Sequence, residues 1–401
     1  MHHTDQHPAS HARPRLSTLI VEAVVLFLAL RIGLSLLGAF MATQGVPSPC
    51  HFEEALAGWR TMPELLRDGP AFPFAGVWER WDACWYMKIA TYGYEPGERS
   101  VAFFPLFPAA VRGVGTISTL PYPVAGLIVS GLAYVAAMTG LLRLVGSSHG
   151  LAIARRTALL LSAFPAAFFL LAPFTESLFL AAAVWSLALA RERRWLLVAA
   201  CATLAALARP QGLLLAVPLA WEAFVAVREN PSRSPMAFAW AGVSLLAVLA
   251  PVIVFIGYGL VAWVLTGETP YDAQSLWGGT NFHPPWAVVA ASVAWIMERG
   301  DGMQALNLVA LLGAAVLLVV GARRMPVAYS LYAWPPLLLI ATRIQPTPLT
   351  STTRFILVMF PVFVVAALLT THPRLQRAWL VISIIFLGAL ATMFLQGDFI
   401  A

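Results

Sequence analysis

A chain of 401 residues that is 60% hydrophobic and only 11% charged, with a mean hydropathy of +0.78, is too apolar for a soluble domain of its size. It reads as an all-α, polytopic bundle of transmembrane helices. The net charge of +6 does not imply nucleic acid, because the arginines punctuate hydrophobic runs without forming a patch, and no Gly-rich phosphate loop follows a strand, which excludes a nucleotide-binding domain.

Residues 1–15 read as a flexible polar tail, whose His2, His3, His7 and His11 lack the scaffold of a metal site. Residues 16–401 read as one transmembrane domain. Crossing about 30 Å of hydrocarbon takes roughly 20 helical residues. Eleven runs are candidates: 16–41, 122–145, 157–172, 174–190, 195–209, 211–227, 237–266, 304–322, 327–341, 354–371 and 378–396. The first is too long for a cleaved signal peptide and reads as a retained span. The runs 102–119 and 286–297 read as helices lying in the interface. With a cytoplasmic N-terminus, every inner turn is then basic: Arg13 and Arg15, Arg143 with Arg155 and Arg156, Arg191 with Arg193 and Arg194, Arg228 and Arg233, Arg323 and Arg324, Arg374 and Arg377. That is the pattern the positive-inside rule requires.

The outer face receives the long loop 42–121, read as the catalytic loop, and the turns 173–177, 209–212, 266–286 and 342–354. Most carboxylates fall there too, including Glu53, Glu54, Glu64, Asp68, Glu79, Asp82 and Glu176. Function is expected on this face. Cys50, Cys84 and Cys201 are too few for a disulfide framework and have no metal-type spacing. They are expected to be unpaired, with a Cys50–Cys84 bridge open only if their loop faces an oxidising compartment.

Within that loop, WERWDACWYMKIATYGY (78–94) followed by AFFPLFPAAVR (102–112) sets Asp82 among aromatics in a lipid-soluble chain. An ionised carboxylate near hydrocarbon costs several kcal/mol unless it meets water or a polar partner, so Asp82 is a functional candidate. The plain alternative is that it caps the helix that follows.

The string resembles the first-loop signature of the PIG-V type mannosyltransferases, the family that includes the enzyme adding the second mannose to GPI anchors. Three further blocks follow in the same order: FPAAFFLLAPFTESLFLAAAVWSLALARERRWLLVAACATLAALARPQG (164–212), TGETPYDAQSLWG (266–278) and TSTTRFILVMFPVF (350–363). The resemblance implies a GT-C membrane glycosyltransferase that draws a mannose-like hexose from a polyprenyl-phosphate donor with inversion. It also implies an essential acid in the first outward loop, a role that carries over to Asp82.

The residue types suit that chemistry. A carboxylate must take the proton of the acceptor hydroxyl, for which Asp82 is the best candidate and Glu79, three residues earlier, a substitute. The departing phosphate needs guanidinium donors, and Arg209, Arg343 and Arg354 stand at outer turns, with Lys88 a further cation. Each has a plainer reading: Glu79 paired with Arg80 or solvated, Arg209 snorkelling to the interface, Lys88 without function. Glu176 binds a sugar hydroxyl or caps its helix. Trp81 and Tyr86 stack on the sugar or anchor in the interface, and Gln274 and Trp277 line the acceptor groove or merely pack. No metal or cofactor is expected. The partners expected are the lipid-linked donor, membrane lipids, and a glycolipid, glycan or protein acceptor. An Arg-rich, Lys-poor composition suits the plasma membrane of a high-GC bacterium. A lipid or sugar transporter and a non-catalytic scaffold are the rival classes, but a transporter would more often carry inverted repeats and mid-membrane charges.

Overall fold

The computed structural model describes residues 15–46, 50, 69–229, 235–276, 282–344 and 347–400. These form sixteen α-helices with short 3₁₀ segments between some of them, and their sole β feature is an isolated antiparallel bridge between Phe282 and Arg343. The fold is an all-α polytopic membrane bundle. Six described helices are long and apolar enough to cross a membrane unaided: Leu16–Thr43, Tyr122–His149, Pro210–Glu229, Ala239–Thr266, Gly302–Gly321 and Pro373–Gln396. The flexible tail, the acids Glu53, Glu54, Glu64 and Asp68, and Trp277 lie outside the described residues.

In chain order the helices are α1 (Leu16–Thr43), α2 (Asp82–Tyr92), α3 (Leu106–Ser118), α4 (Tyr122–His149), α5 (Leu151–Ser162) and α6 (Glu176–Arg191). There follow α7 (Trp195–Ala208), α8 (Ala216–Glu229), α9 (Pro235–Thr266), α10 (Pro270–Leu276) and α11 (Pro285–Arg299). The chain closes with α12 (Gly302–Gly321), α13 (Val327–Ile340), α14 (Thr352–Leu357), α15 (Phe360–Leu369) and α16 (Pro373–Gln396). Helices α4, α6 and α7 form the centre, with α6 buried along nearly its whole length. Helices α1, α9 and α16 turn large apolar side chains such as Val21, Leu260 and Ile385 outward, where hydrocarbon would cover them.

Two of the expected spans are broken. The run 157–172 is helical only to Ser162; Pro165, which has no N–H to donate, follows, and then a 3₁₀ turn at Ala167–Leu170. In the run 354–371 the chain leaves the helix at Val358 and Met359 before Pro361 opens α15. Residues 166–177 are buried throughout, so this irregular backbone is enclosed by protein and does not meet lipid. The two runs read as interfacial form α3 and α11, of 13 and 15 residues, shorter than the roughly 20 a span requires. Helix α3 packs on α2 and α4 and so braces the loop from outside.

Close approach between α4 and α6 depends on a missing side chain. A Cβ at Gly140 would fall 2.8 Å from Val184 Cγ2 and 2.9 Å from Trp185 Nε1, whereas one at Gly388 of α16 would meet nothing within 4 Å. Gly140→Ala should therefore destabilise the detergent-purified protein by about 1–3 kcal/mol through overpacking. Gly388→Ala should hold or raise the melting temperature, since alanine restricts the unfolded chain. Equal melting temperatures for the two variants would refute this packing.

Candidate active site

Asp82 is the first residue of α2, and the backbone turns sharply to present it: Trp81 has φ 53°, a value that disfavours any side chain. Trp81 is pinned by its indole N–H, which donates to the carbonyl of Asp398 at 3.0 Å, and by Phe399 edge-on at 4.9 Å. Trp78 stacks on Phe394. The end of the chain thus holds the approach to Asp82. Cys84, two residues further on, is bridged to Cys50 with Cα atoms 5.7 Å apart, contrary to the expectation of unpaired thiols. The bridge ties the loop that leaves α1 to the start of α2.

Asp82 does not cap its helix, because the N-cap position belongs to Trp81 and carries no side-chain cap bond. Its Oδ2 accepts instead from Nη1 of Arg354 at 2.6 Å. The same guanidinium donates from Nε to Oε1 of Glu176 and lies over the rings of Phe169 and Phe174, at 5.0 and 4.8 Å from their centroids. Glu176 Oε1 also accepts from Nη1 of Arg209. Arg209 further approaches Thr175 Oγ1 at 3.5 Å and Gln211 Oε1 at 3.4 Å, and sits over Phe355. Two carboxylates and two guanidiniums therefore alternate in a row: Asp82, Arg354, Glu176, Arg209.

Burial along the row is uneven. Glu176 is completely buried and both arginines nearly so, whereas the Asp82 side chain is 27% exposed. Arg209 is thus no snorkelling anchor, and Glu176 no cap. Glu176 Oε2 has no hydrogen-bond partner among the described residues. Nor do Nη2 of Arg209 and Nη2 of Arg354 bond any described residue, so each guanidinium keeps a donor in reserve.

The other candidates scatter. Tyr86 lies one turn after Asp82, its ring packed edge-on against Phe103, Phe107 and Phe174. Burial raises its phenol above the usual range, with the negative charge of Asp82 next in effect. It is a wall of the site. Glu79 is buried ahead of α2, so it shares no helix face with Asp82; it lies beside Arg80, whose pKa burial lowers to about 10 against the opposing pull of Glu79. Lys88 is buried in a salt bridge with Glu98 and lies over Trp85, away from the row. Its ammonium is lowered by burial, which the Glu98 contact opposes.

Arg343 borders an apolar cleft together with Gln211, Tyr332 and Phe355, and its Nε has no partner among the described residues. Burial lowers its pKa. Gln274 is half-buried on α10, which packs on the 3₁₀ turn Ser100–Ala102. No three His, Cys, Asp or Glu side chains converge among the described residues. Sequence reasoning passed over Gln304 and Asn307, whose signal was two amides three residues apart at the head of an apolar run.

A model of the family described as Mannosyltransferase (PIG-V) matches residues 21–229, just over half of the chain. The chain belongs to the PIG-V mannosyltransferase family. No curated protein matches it. The molecule is accordingly a membrane mannosyltransferase, and the matched segment of this family member holds Asp82, Glu176 and Arg209, while Arg343 and Arg354 lie beyond it.

Because Glu176 serves two buried cations, Glu176→Gln should cost about 3–5 kcal/mol of stability. Asp82→Asn, at a partly hydrated end of the row, should cost about 1 kcal/mol or less. Thermal unfolding in detergent ranks the two, and equal losses would show that the row is not organised around Glu176.

Proposed function

We propose that the Asp82–Arg354–Glu176–Arg209 row is the active site, and that it transfers a mannose-like hexose from a polyprenyl-phosphate donor to an outward-facing hydroxyl. The observation that carries this reading is the guanidinium of Arg354, which touches the one partly exposed carboxylate and the buried one together. Oδ2 of Asp82 is held by that guanidinium, which leaves Oδ1 to receive a proton. The acceptor oxygen attacks the anomeric carbon from the face opposite the phosphate while Asp82 takes its proton. The bond from that carbon to the phosphate oxygen breaks, the electron pair leaves with the polyprenyl phosphate, and configuration inverts. Negative charge growing on the phosphate is met by the reserve Nη2 donors of Arg354 and Arg209. The cleft bordered by Arg343 and Phe355 is the place for the lipid chain of the donor, since Phe355 also carries Arg209.

The Cys50–Cys84 bridge supports an oxidising side for this loop, and the basic inner turns support the opposite side as cytoplasmic. A bacterial plasma membrane with its active site outward fits both.

Asp82→Asn keeps the size of the side chain but loses the basic oxygen, so turnover should fall by on the order of a hundredfold or more. Glu79→Gln should lose less. Arg354→Lys keeps the charge but lacks the fork that spans two carboxylates, and should lower turnover as well as donor affinity. The assay is transfer of labelled mannose from polyprenyl-phosphate mannose to lipid extract, and near-normal transfer by Asp82→Asn would remove the base from the scheme.

Orientation is checked separately. In a Cys201→Ser background, cysteine at the exposed Glu95 should react with an impermeant thiol reagent outside intact cells, and cysteine at the exposed Arg323 should not. The reverse pattern would put the chemistry in the cytoplasm.

A further inference from the structure

Arg354 owes its place to a turn with little regular structure of its own. Leu349 and Ser351 take left-handed φ values of 57° and 64°, and α14 has only six residues, too few to hold a helix unaided. Two amides of α12 grip this segment. Asn307 Oδ1 accepts from both the backbone N–H and the hydroxyl of Thr353, each at 3.1 Å, and Thr353 immediately precedes Arg354. Gln304, three residues before Asn307 and so on the same helix face, donates from Nε2 to the carbonyl of Pro348 and toward Ser292 Oγ at 3.4 Å. Asp301 caps α12 by accepting from the backbone N–H of Gln304 at 3.0 Å.

Both amides are 2% exposed. A buried amide in an apolar bundle is costly unless its hydrogen bonds are made, so their placement calls for a partner that needs them. The N–H of Thr353 is such a partner, being among the first N–H groups of a helix, which have no acceptor within it. Asn307 acts as a helix cap supplied from a neighbouring helix.

We propose that Asn307, backed by Gln304, is a positioning residue for sugar transfer: it fixes the start of α14 so that the guanidinium of Arg354 spans Asp82 and Glu176. The proposal rests on reading that guanidinium as part of the active site. Without the Asn307 oxygen the first turn of α14 loses its external anchor, and a displacement of about 1 Å in a reacting group costs up to roughly a hundredfold in rate.

The test uses the full chain in detergent with polyprenyl-phosphate mannose as donor and membrane lipid extract as the acceptor source. Asn307→Leu should lower kcat by about tenfold or more and raise donor KM, the same two effects expected of Arg354→Lys, because it acts by displacing that guanidinium. Asn307→Asp keeps an accepting oxygen and should recover most of that kcat. In an Arg354→Lys background, Asn307→Leu should cost about twofold or less, since both changes act through one side chain. Parental kcat in Asn307→Leu, no recovery in Asn307→Asp, or the same loss in both backgrounds would each overturn the proposal. If Asn307→Leu does not accumulate as folded protein, Asn307→Ala takes its place with the same expectations. Parental activity in Arg354→Lys alone would instead defeat the reading of the active site, which separates the two failures.

Discussion

The buried carboxylate of Glu176, shared by two guanidiniums, is the interaction on which this end of the bundle depends. Removing charges from water costs several kcal/mol per ion even after relaxation, and only close pairing with further hydrogen bonds offsets it. The row meets that condition by alternating signs, so that its four formal charges cancel, and by placing each charge at a favourable helix end. Asp82 and Glu176 are the first residues of α2 and α6, where exposed N–H groups favour anions. Arg209 is the C-cap of α7 and Arg354 lies in the last turn of α14, where carbonyls favour cations. Four helix ends must meet for this to happen, and the broken spans exist where they do.

The opposite ends of the helices carry charges of a different kind. Arg143 pairs with Glu192, Arg155 with Glu22, and Arg193 with Glu229, all with partly exposed side chains. Pairs in such surroundings are worth little to stability, about 0–1 kcal/mol each. Arg191 goes further, reaching Glu222, Ser148 and the hydroxyl of Tyr329, and so ties α6 to α8, α4 and α13. These contacts fix how helices sit side by side. The row around Glu176 has something more, namely donors left unspent.

Class and membrane character were legible in composition, because hydrocarbon imposes its demand on every residue of a span. The individual members of the row were legible too, since Asp82, Glu176, Arg209 and Arg354 are charges at the margins of apolar runs. Their pairing was not. Asp82 and Arg354 are 272 residues apart in sequence and Arg354 and Glu176 are 178 apart, and no local period encodes which helix ends converge. Lys88 shows the reverse case. As a cation six residues from Asp82 it stood with the phosphate candidates, yet a helix turns about 600° over six residues and carries it round to Glu98. The Cys50–Cys84 bridge was open in the sequence but not favoured, because a separation of 34 positions says nothing about the proximity of two side chains.

Uneven burial gives the row its direction. Were all four charges equally enclosed, a proton arriving at either carboxylate would leave an unmatched cation in a dry interior, at a cost that would oppose reaction. Of the two carboxylates only Asp82 is partly exposed, which is why the proposed transfer gives it the proton of the acceptor hydroxyl. In the proposed transfer its neutralisation weakens its hold on Nη1 of Arg354 as negative charge grows on the departing phosphate. The guanidinium then gives up one anion as it gains another, while Glu176 holds Nε and keeps the group from moving. Net charge in the enclosed site stays nearly constant, and a pre-oriented cation stabilises the leaving group without reorganisation.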